Sequence, residues 1–217
     1  QAVIFPFWRE KVMNMIRRRV MSTRIMDYDF SGMNSEIRIS IIGKKGIDIK
    51  MKKMLVVYYS WSNGNTKRIA EQLTNGTGAD IARIETAEPY SGSHEDVVEQ
   101  GKREVEAGFM PQINPISVNL ADYDVIAIGT PTWWYTMAPA VLTFLTTNDF
   151  TGKTVIPFMT NGGWPGHVIK DMKDKCKGAA FAHEMQIQFD SMGKDHLETS
   201  EDVITEWIGQ INTDINK

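Results

Sequence analysis

Residues 55–59 (LVVYY) are an unbroken run of apolar, β-branched and aromatic side chains. Such a run suits a strand covered on both faces, as in a parallel sheet. It stops at a cluster of short polar residues: Ser60, Ser62, Asn63, Gly64, Asn65 and Thr66. Ile69, Ala70 and Leu73 then recur at helical spacing. Strand, polar loop and helix in that order aim backbone N–H groups and small hydroxyls at the positive end of a helix, which suits a phosphate. The same residues also suit an ordinary βα connection in which Asn65 or Thr66 caps the helix.

Two common phosphate-binding patterns are excluded. A Walker loop requires Lys followed by Ser or Thr at the helix start, and Asn65 and Thr66 stand there instead. Lys67 and Arg68 come after that place, on the first helical turn, where side chains usually point to solvent. A dinucleotide fingerprint requires G-x-G-x-x-G, and only Gly64 is present. A hydroxyl- and amide-rich loop with a single glycine suits one terminal phosphate monoester.

Two later segments repeat the arrangement. Residues 125–129 (VIAIG) predict a second buried strand, followed by Thr130, Pro131, Thr132, Trp133, Trp134 and Tyr135. A helix is expected over Ala140 to Leu145, with Pro139 near its first position. Residues 155–159 predict a third strand, followed by Thr160, Asn161, Gly162, Gly163 and Trp164. A helix bearing Val168, Ile169 and Met172 comes next. In an open doubly wound sheet these three loops converge outside the carboxyl ends of the strands, where ligands bind. Trp133, Trp134, Tyr135 and Trp164 are expected at loop tips, where a flat conjugated ligand would account for them; covering a helix end is the plainer role for any one of them.

Taken together, YYSWSNGNT, IGTPTWW and PFMTNGG resemble the flavodoxin family, over about Met54 to Ile211. The chain is most similar to the short-chain, WW-containing flavodoxin-like proteins of bacteria. The resemblance implies a three-layer α/β/α fold with a five-stranded parallel sheet of order 2-1-3-4-5 and FMN as cofactor. It implies that Ser60, Ser62, Asn63, Gly64, Asn65 and Thr66 hold the FMN phosphate. Thr130 to Tyr135 would lie against the isoalloxazine, and Thr160 to Trp164 would close on the ring from the other side. Two departures stand out: Asn63 is an extra residue before Gly64, and Trp-Trp replaces the usual single Trp followed by Gly.

The rest of the chain fits this architecture. Ala79 to Ile84 and His183 to Phe189 alternate as half-buried edge strands do. Ser93 to Asp96 predict a capping box for a helix ending before Gly108. Val203, Ile204, Trp207, Ile208 and Ile211 form an expected core stripe, and Cys176 is expected at the surface. Pro157 conflicts with an internal strand, so a bulge, or pairing that starts after it, is expected there. The four His residues have no metal-ligand spacing, and no hydrolytic constellation is visible, so the chemistry is left to a cofactor.

Charge divides the chain. Residues 1–50 hold ten Lys and Arg against five Asp and Glu, whereas the whole chain is −3, leaving −8 for the remainder. Residues 1–50 are expected to be a non-native or poorly ordered extension from a misplaced start, with the domain beginning near Met51 or Met54. They lack the cleavage site of a signal peptide, although a basic membrane-surface segment would also read this way. The acidic remainder suits an electron carrier that docks on basic faces of redox partner proteins. A single Cys suits the reducing cytoplasm. No nucleic-acid partner and no transmembrane segment are expected, and the protein is expected to be a monomer or weak dimer. Three roles stay open: an FMN-binding low-potential electron shuttle, an FMN-dependent NAD(P)H:quinone-type oxidoreductase, and a flavodoxin-like module without FMN.

Overall fold

In the computed structural model, residues 52–192 and 194–215 are described throughout, together with three earlier strands. The chain divides into two compact units, Gln1–Met51 and Lys52–Lys217. In the first unit β1 (Ile25–Tyr28), β2 (Glu36–Ile41) and β3 (Lys44–Lys50) form an antiparallel meander. The expectation of a non-native or poorly ordered extension concerns residues that, these strands apart, lie outside the described ones.

In the second unit β4 (Met54–Tyr58) is followed by α1 (Asn65–Thr77), β5 (Asp80–Arg83) and α2 (His94–Ala107). Then come β6 (Val125–Trp133), a short β7 (Thr136–Met137) and α3 (Pro139–Thr147). β8 (Thr154–Asn161), α4 (Val168–Lys175), β9 (Ala180–Phe181), β10 (Met185–Gln188) and α5 (Glu201–Ile215) complete it. The parallel strands run β10-β8-β6-β4-β5, which is the order 2-1-3-4-5 counted within the unit. The register is regular, with Tyr58 beside Gly129 and Ile128 beside Pro157.

Alternation along β4 builds the two cores. Leu55, Val57 and Tyr59 face the layer formed by α3 and α4, whereas Met54, Val56 and Tyr58 face α1 and α5. The sheet is therefore covered on both sides, as its apolar strands require. Ser93 and Asp96 form the expected capping box on α2, and Gly108 closes that helix in the left-handed region.

Pro157 interrupts nothing on the β6 side. On its other side the partner strand is split: β9 pairs with Thr154 and Val155, and β10 begins opposite Phe158. Ala182 N–H donates to the Val155 carbonyl, so two-residue alternation places the missing donor of Pro157 on that same side. The strand expected over His183 to Phe189 is accordingly shorter, and pairing with it starts after the proline. Returning chain meets the carboxyl end of each border strand or the residues just past it. Beyond β10, Thr199 Oγ1 accepts from Gln188 N–H at 2.8 Å, and Glu198 and Thr199 donate to the Gln188 carbonyl. Beyond β5, Thr86 bridges Ile113, and Asn114 donates to Glu85.

Two expectations are corrected. Val203 is exposed on α5, because the buried stripe runs through Ile204, Trp207, Ile211 and Ile215. Cys176 is 1% exposed, packed in the α3–α4 core, and burial pushes its thiol up to about 12. A thiol needs its thiolate to react. Native protein is therefore expected to resist iodoacetamide at pH 8, while urea-unfolded protein takes one label per chain by mass spectrometry. Rapid labelling of the native state would place Cys176 at the surface after all.

Candidate functional site

The carboxyl ends of β4, β6 and β8 bring the three polar segments together. At the first, Gly64 precedes α1 in the left-handed region (φ 78°), and no side chain caps the helix. A left-handed residue followed by helical ones curls successive N–H groups into a concave nest suited to an anion. Ser62 is also left-handed (φ 63°), and its hydroxyl donates to Asn63 Oδ1 at 3.3 Å. The nearby cations are engaged elsewhere: Arg68 pairs with Glu201 at 2.6 Å, and Lys67 with Glu71 at 3.7 Å. Any anion at this helix start would meet N–H groups and hydroxyls.

Thr66 is buried, with Oγ1 2.8 Å from Thr160 Oγ1. That contact fastens the first segment to the third. Asn65 does not turn to the nest; its Nδ2 donates to the Lys194 carbonyl at 2.9 Å, in the chain after β10. Ser60 Oγ and Thr132 Oγ1 are buried without a protein partner at the ends of adjacent strands. Gln72 Oε1 and Thr74 Oγ1 on α1 are likewise buried without a protein partner; the two hydroxyls at the strand ends are the ones a ligand at the carboxyl border could reach.

The second segment is less of a loop than its sequence suggests. Thr130 to Trp133 continue β6, and Trp133 pairs with Thr136 across a two-residue turn. Trp134 (φ 49°) and Tyr135 (φ 67°) form that turn, both left-handed, as a type I′ hairpin requires. Non-glycine residues held this way store strain, which concentrates at functional sites. The hairpin is fastened on two sides. Trp134 Nε1 donates to the Val98 carbonyl on α2 at 2.9 Å, and Lys102 Nζ lies 5.1 Å from its ring. Toward α4, His167 N–H donates to the Tyr135 carbonyl at 2.8 Å, and Thr136 donates to Asp171, which also bonds His167 Nδ1. Thr130 is buried and accepts from Ala138 N–H.

Of the four aromatics expected at loop tips, Trp133 is elsewhere. It turns inward, its ring 4.9 Å from Tyr90 and 6.0 Å from Tyr59. Trp134, Tyr135 and Trp164 are 39%, 54% and 60% exposed. In the third segment Asn161 Oδ1 accepts from Gly163 N–H at 2.7 Å, while Nδ2 donates to the Ile187 carbonyl. Gly162 passes the chain close to Asp190, where an added Cβ would lie 3.3 Å from that carbonyl. Sequence reasoning did not find Tyr90, Glu104, Gly166, His167 or Asp171. Only the i, i+4 spacing of His167 and Asp171 signalled any of them.

Three polar connections outside the carboxyl border of a 2-1-3-4-5 parallel sheet define a doubly wound α/β protein, with its candidate site at the topological switch point. The family model described as Flavodoxin matches residues 53–211, so the chain belongs to the flavodoxin family. A candidate flavoprotein from Bacteroides eggerthii is 28% identical, with a TM-score of 0.60 over 74% of this chain and 98% of that one. Another from Bacteroides uniformis is 27% identical, with a TM-score of 0.61 over 74% and 99%. A flavoprotein from Lactobacillus acidophilus, solved in complex with FMN, shares the fold at 22% identity, with a TM-score of 0.54 over 62% and 92%. A comparison with curated proteins gave no match. Among the described residues no helix is long and apolar enough to cross a membrane.

Proposed function

We propose that this chain binds FMN across the ends of β4, β6 and β8 and serves as a low-potential electron carrier between redox proteins of the cytoplasm. The observation that carries this reading is the uncapped start of α1 behind left-handed Gly64, beside the unpartnered Ser60 hydroxyl. Once bound, FMN supplies one- and two-electron redox chemistry. The N–H groups of the first turn, with Ser60 and Ser62, would hold its phosphate. With Thr160 donating, Thr66 keeps its own hydroxyl proton for a phosphate oxygen. Tyr135, Trp134 and Trp164 would flank the ring and keep water from it. The −8 charge beyond residue 50 works against adding negative charge at the site, which lowers the potential relative to free FMN, and it suits partners with basic docking faces.

Thr66→Val tests the phosphate contact. A charge-assisted hydrogen bond contributes on the order of 1.5–3 kcal/mol, so FMN affinity is expected to fall roughly ten- to a hundredfold. Riboflavin, which lacks the phosphate, should lose much less. Equal losses for both ligands would make Thr66 a structural link to Thr160 only.

One observation favours a second reading, an FMN-dependent NAD(P)H:quinone-type oxidoreductase. The wide exposed faces of Tyr135 and Trp164 could receive a second flat molecule. Anaerobic NADH or NADPH added to the yellow protein separates the two: a carrier keeps its colour, and the oxidoreductase bleaches within its turnover time.

A further inference from the structure

The first turn of α1 reaches across to the chain between β10 and α5. Asn65 opens the helix, and its Nδ2 donates to the Lys194 carbonyl at 2.9 Å. Arg68 Nη1 donates to the next carbonyl, that of Asp195, at 3.4 Å, while Nη2 pairs with Glu201 at 2.6 Å. The connection closes at its own neck, where Asp190 N–H donates to the His196 carbonyl at 2.8 Å and Phe189 bridges Leu197. Asp190 Oδ1 accepts from Met192 N–H, so that carboxylate is turned into the connection. Helix capping does not account for Asn65, because its amide holds a carbonyl 129 positions away and not the helix's own N–H groups.

Charge gives this fastening a purpose. N–H groups and hydroxyls solvate a phosphate dianion but leave its net charge uncompensated, in a unit that is already acidic. The cations around the first loop are occupied. Lys67 pairs with Glu71 and Arg68 with Glu201. Arg83, at the end of β5, donates to the Ser60 carbonyl at 3.2 Å and lies 3.9 Å from Glu85. Lys194 differs: it is exposed, and among the described residues no carboxylate lies within ion-pair distance of its ammonium. We infer that Lys194 supplies the countercharge for the phosphate bound at the start of α1. Asn65 fixes the lysine's backbone within a side chain's length of the helix start, and the flexible four-carbon stem carries the ammonium to the anion. The competing carboxylates are Asp195, exposed to solvent, and Glu201, which Arg68 already neutralises. An ammonium placed between Asp195 and a dianion goes to the larger charge. This assignment deepens the FMN reading above and rests on it.

Lys194→Met removes the charge, keeps most of the stem and leaves the carbonyl that Asn65 holds. FMN affinity, read by quenching of flavin fluorescence, is expected to fall roughly three- to tenfold at low salt, and the deficit to shrink at high salt, as screening of a partly exposed pair requires. Riboflavin affinity should not change, and Lys194→Arg should restore FMN binding. A lysine that only shaped the connection would cost both flavins alike, at any salt. Wild-type FMN affinity and salt dependence in Lys194→Met would overturn the countercharge and leave the FMN reading intact. Wild-type protein that takes up no FMN defeats that reading. Inorganic phosphate, followed through the backbone amide NMR shifts of Asn65 and Thr66, then decides on Lys194. Phosphate binding weakened in Lys194→Met upholds the countercharge, and binding that is absent or unaltered overturns it.

Discussion

On the FMN reading proposed above, Gly166→Ala is expected to cost the protein most of its FMN affinity. Gly166 is left-handed (φ 58°), and an added Cβ would lie 2.1 Å from the Tyr135 carbonyl oxygen and 2.5 Å from that residue's Cα. These are backbone atoms, and the neighbouring His167 N–H is already bonded to the same carbonyl. Relief therefore requires lifting the whole Trp134–Tyr135 turn, itself strained and tied to α2 and α4. The substitution combines left-handed strain with overpacking, roughly 1–3 kcal/mol each. A tenfold or greater loss of FMN affinity is expected, at about 1.4 kcal/mol per tenfold. Titration by visible absorption would read it, beside a urea midpoint to separate binding from stability. An affinity matching the wild type would show that the hairpin does not border the ligand.

Gly129→Ala acts on the core instead. Its Cβ would lie 2.2 Å from Phe158 Cζ and 2.5 Å from Cε2. Phe158 is fully buried and packs on Trp207 with ring centroids 5.8 Å apart, so the ring cannot swing away. Overpacking of this kind costs about 1–3 kcal/mol, and in a domain of this size the melting temperature should drop by roughly 2–12 °C. Adding Phe158→Leu to Gly129→Ala should recover part of the loss, because the two changes share one space. A wild-type melting temperature for the single variant would mean that the ring yields freely, contrary to the packing described.

The glycine of VIAIG illustrates what the sequence could and could not say. The run predicted a buried strand, and β6 is one; nothing local said that the glycine makes way for a ring twenty-nine positions on. Period two in β4, helical period in α1 and the Ser93–Asp96 box are carried by neighbouring residues, so they were legible. Cys176 was misread because its flanking lysines, Lys173 and Lys175, suggested a surface. Its burial depends on which turn of α4 faces the sheet. Trp133 and Trp134 are adjacent, yet one enters the aromatic cluster and the other lies against α2. That division follows from continued strand alternation and a left-handed turn, which the loop-like composition of TPTWWY concealed. The pairing of Thr66 with Thr160 crosses ninety-four positions. Convergence of the strand ends implied that they approach, but not that their hydroxyls touch.

The split strand opposite Pro157 and the returning segments at both borders bear on how this protein meets its own kind. An open parallel sheet invites strand addition wherever an edge leaves donors and acceptors in a row. Here one border is broken into a two-residue and a four-residue piece, and residues 198–199 occupy the outer groups of Gln188 at its end. The other is four residues long, and residues 112–114 return beside the chain that continues from it. Edge-to-edge growth through this parallel sheet therefore has only short templates. Approach by helices and loops leaves the carboxyl ends of the strands, with their three polar connections, as the side of the sheet open to other molecules.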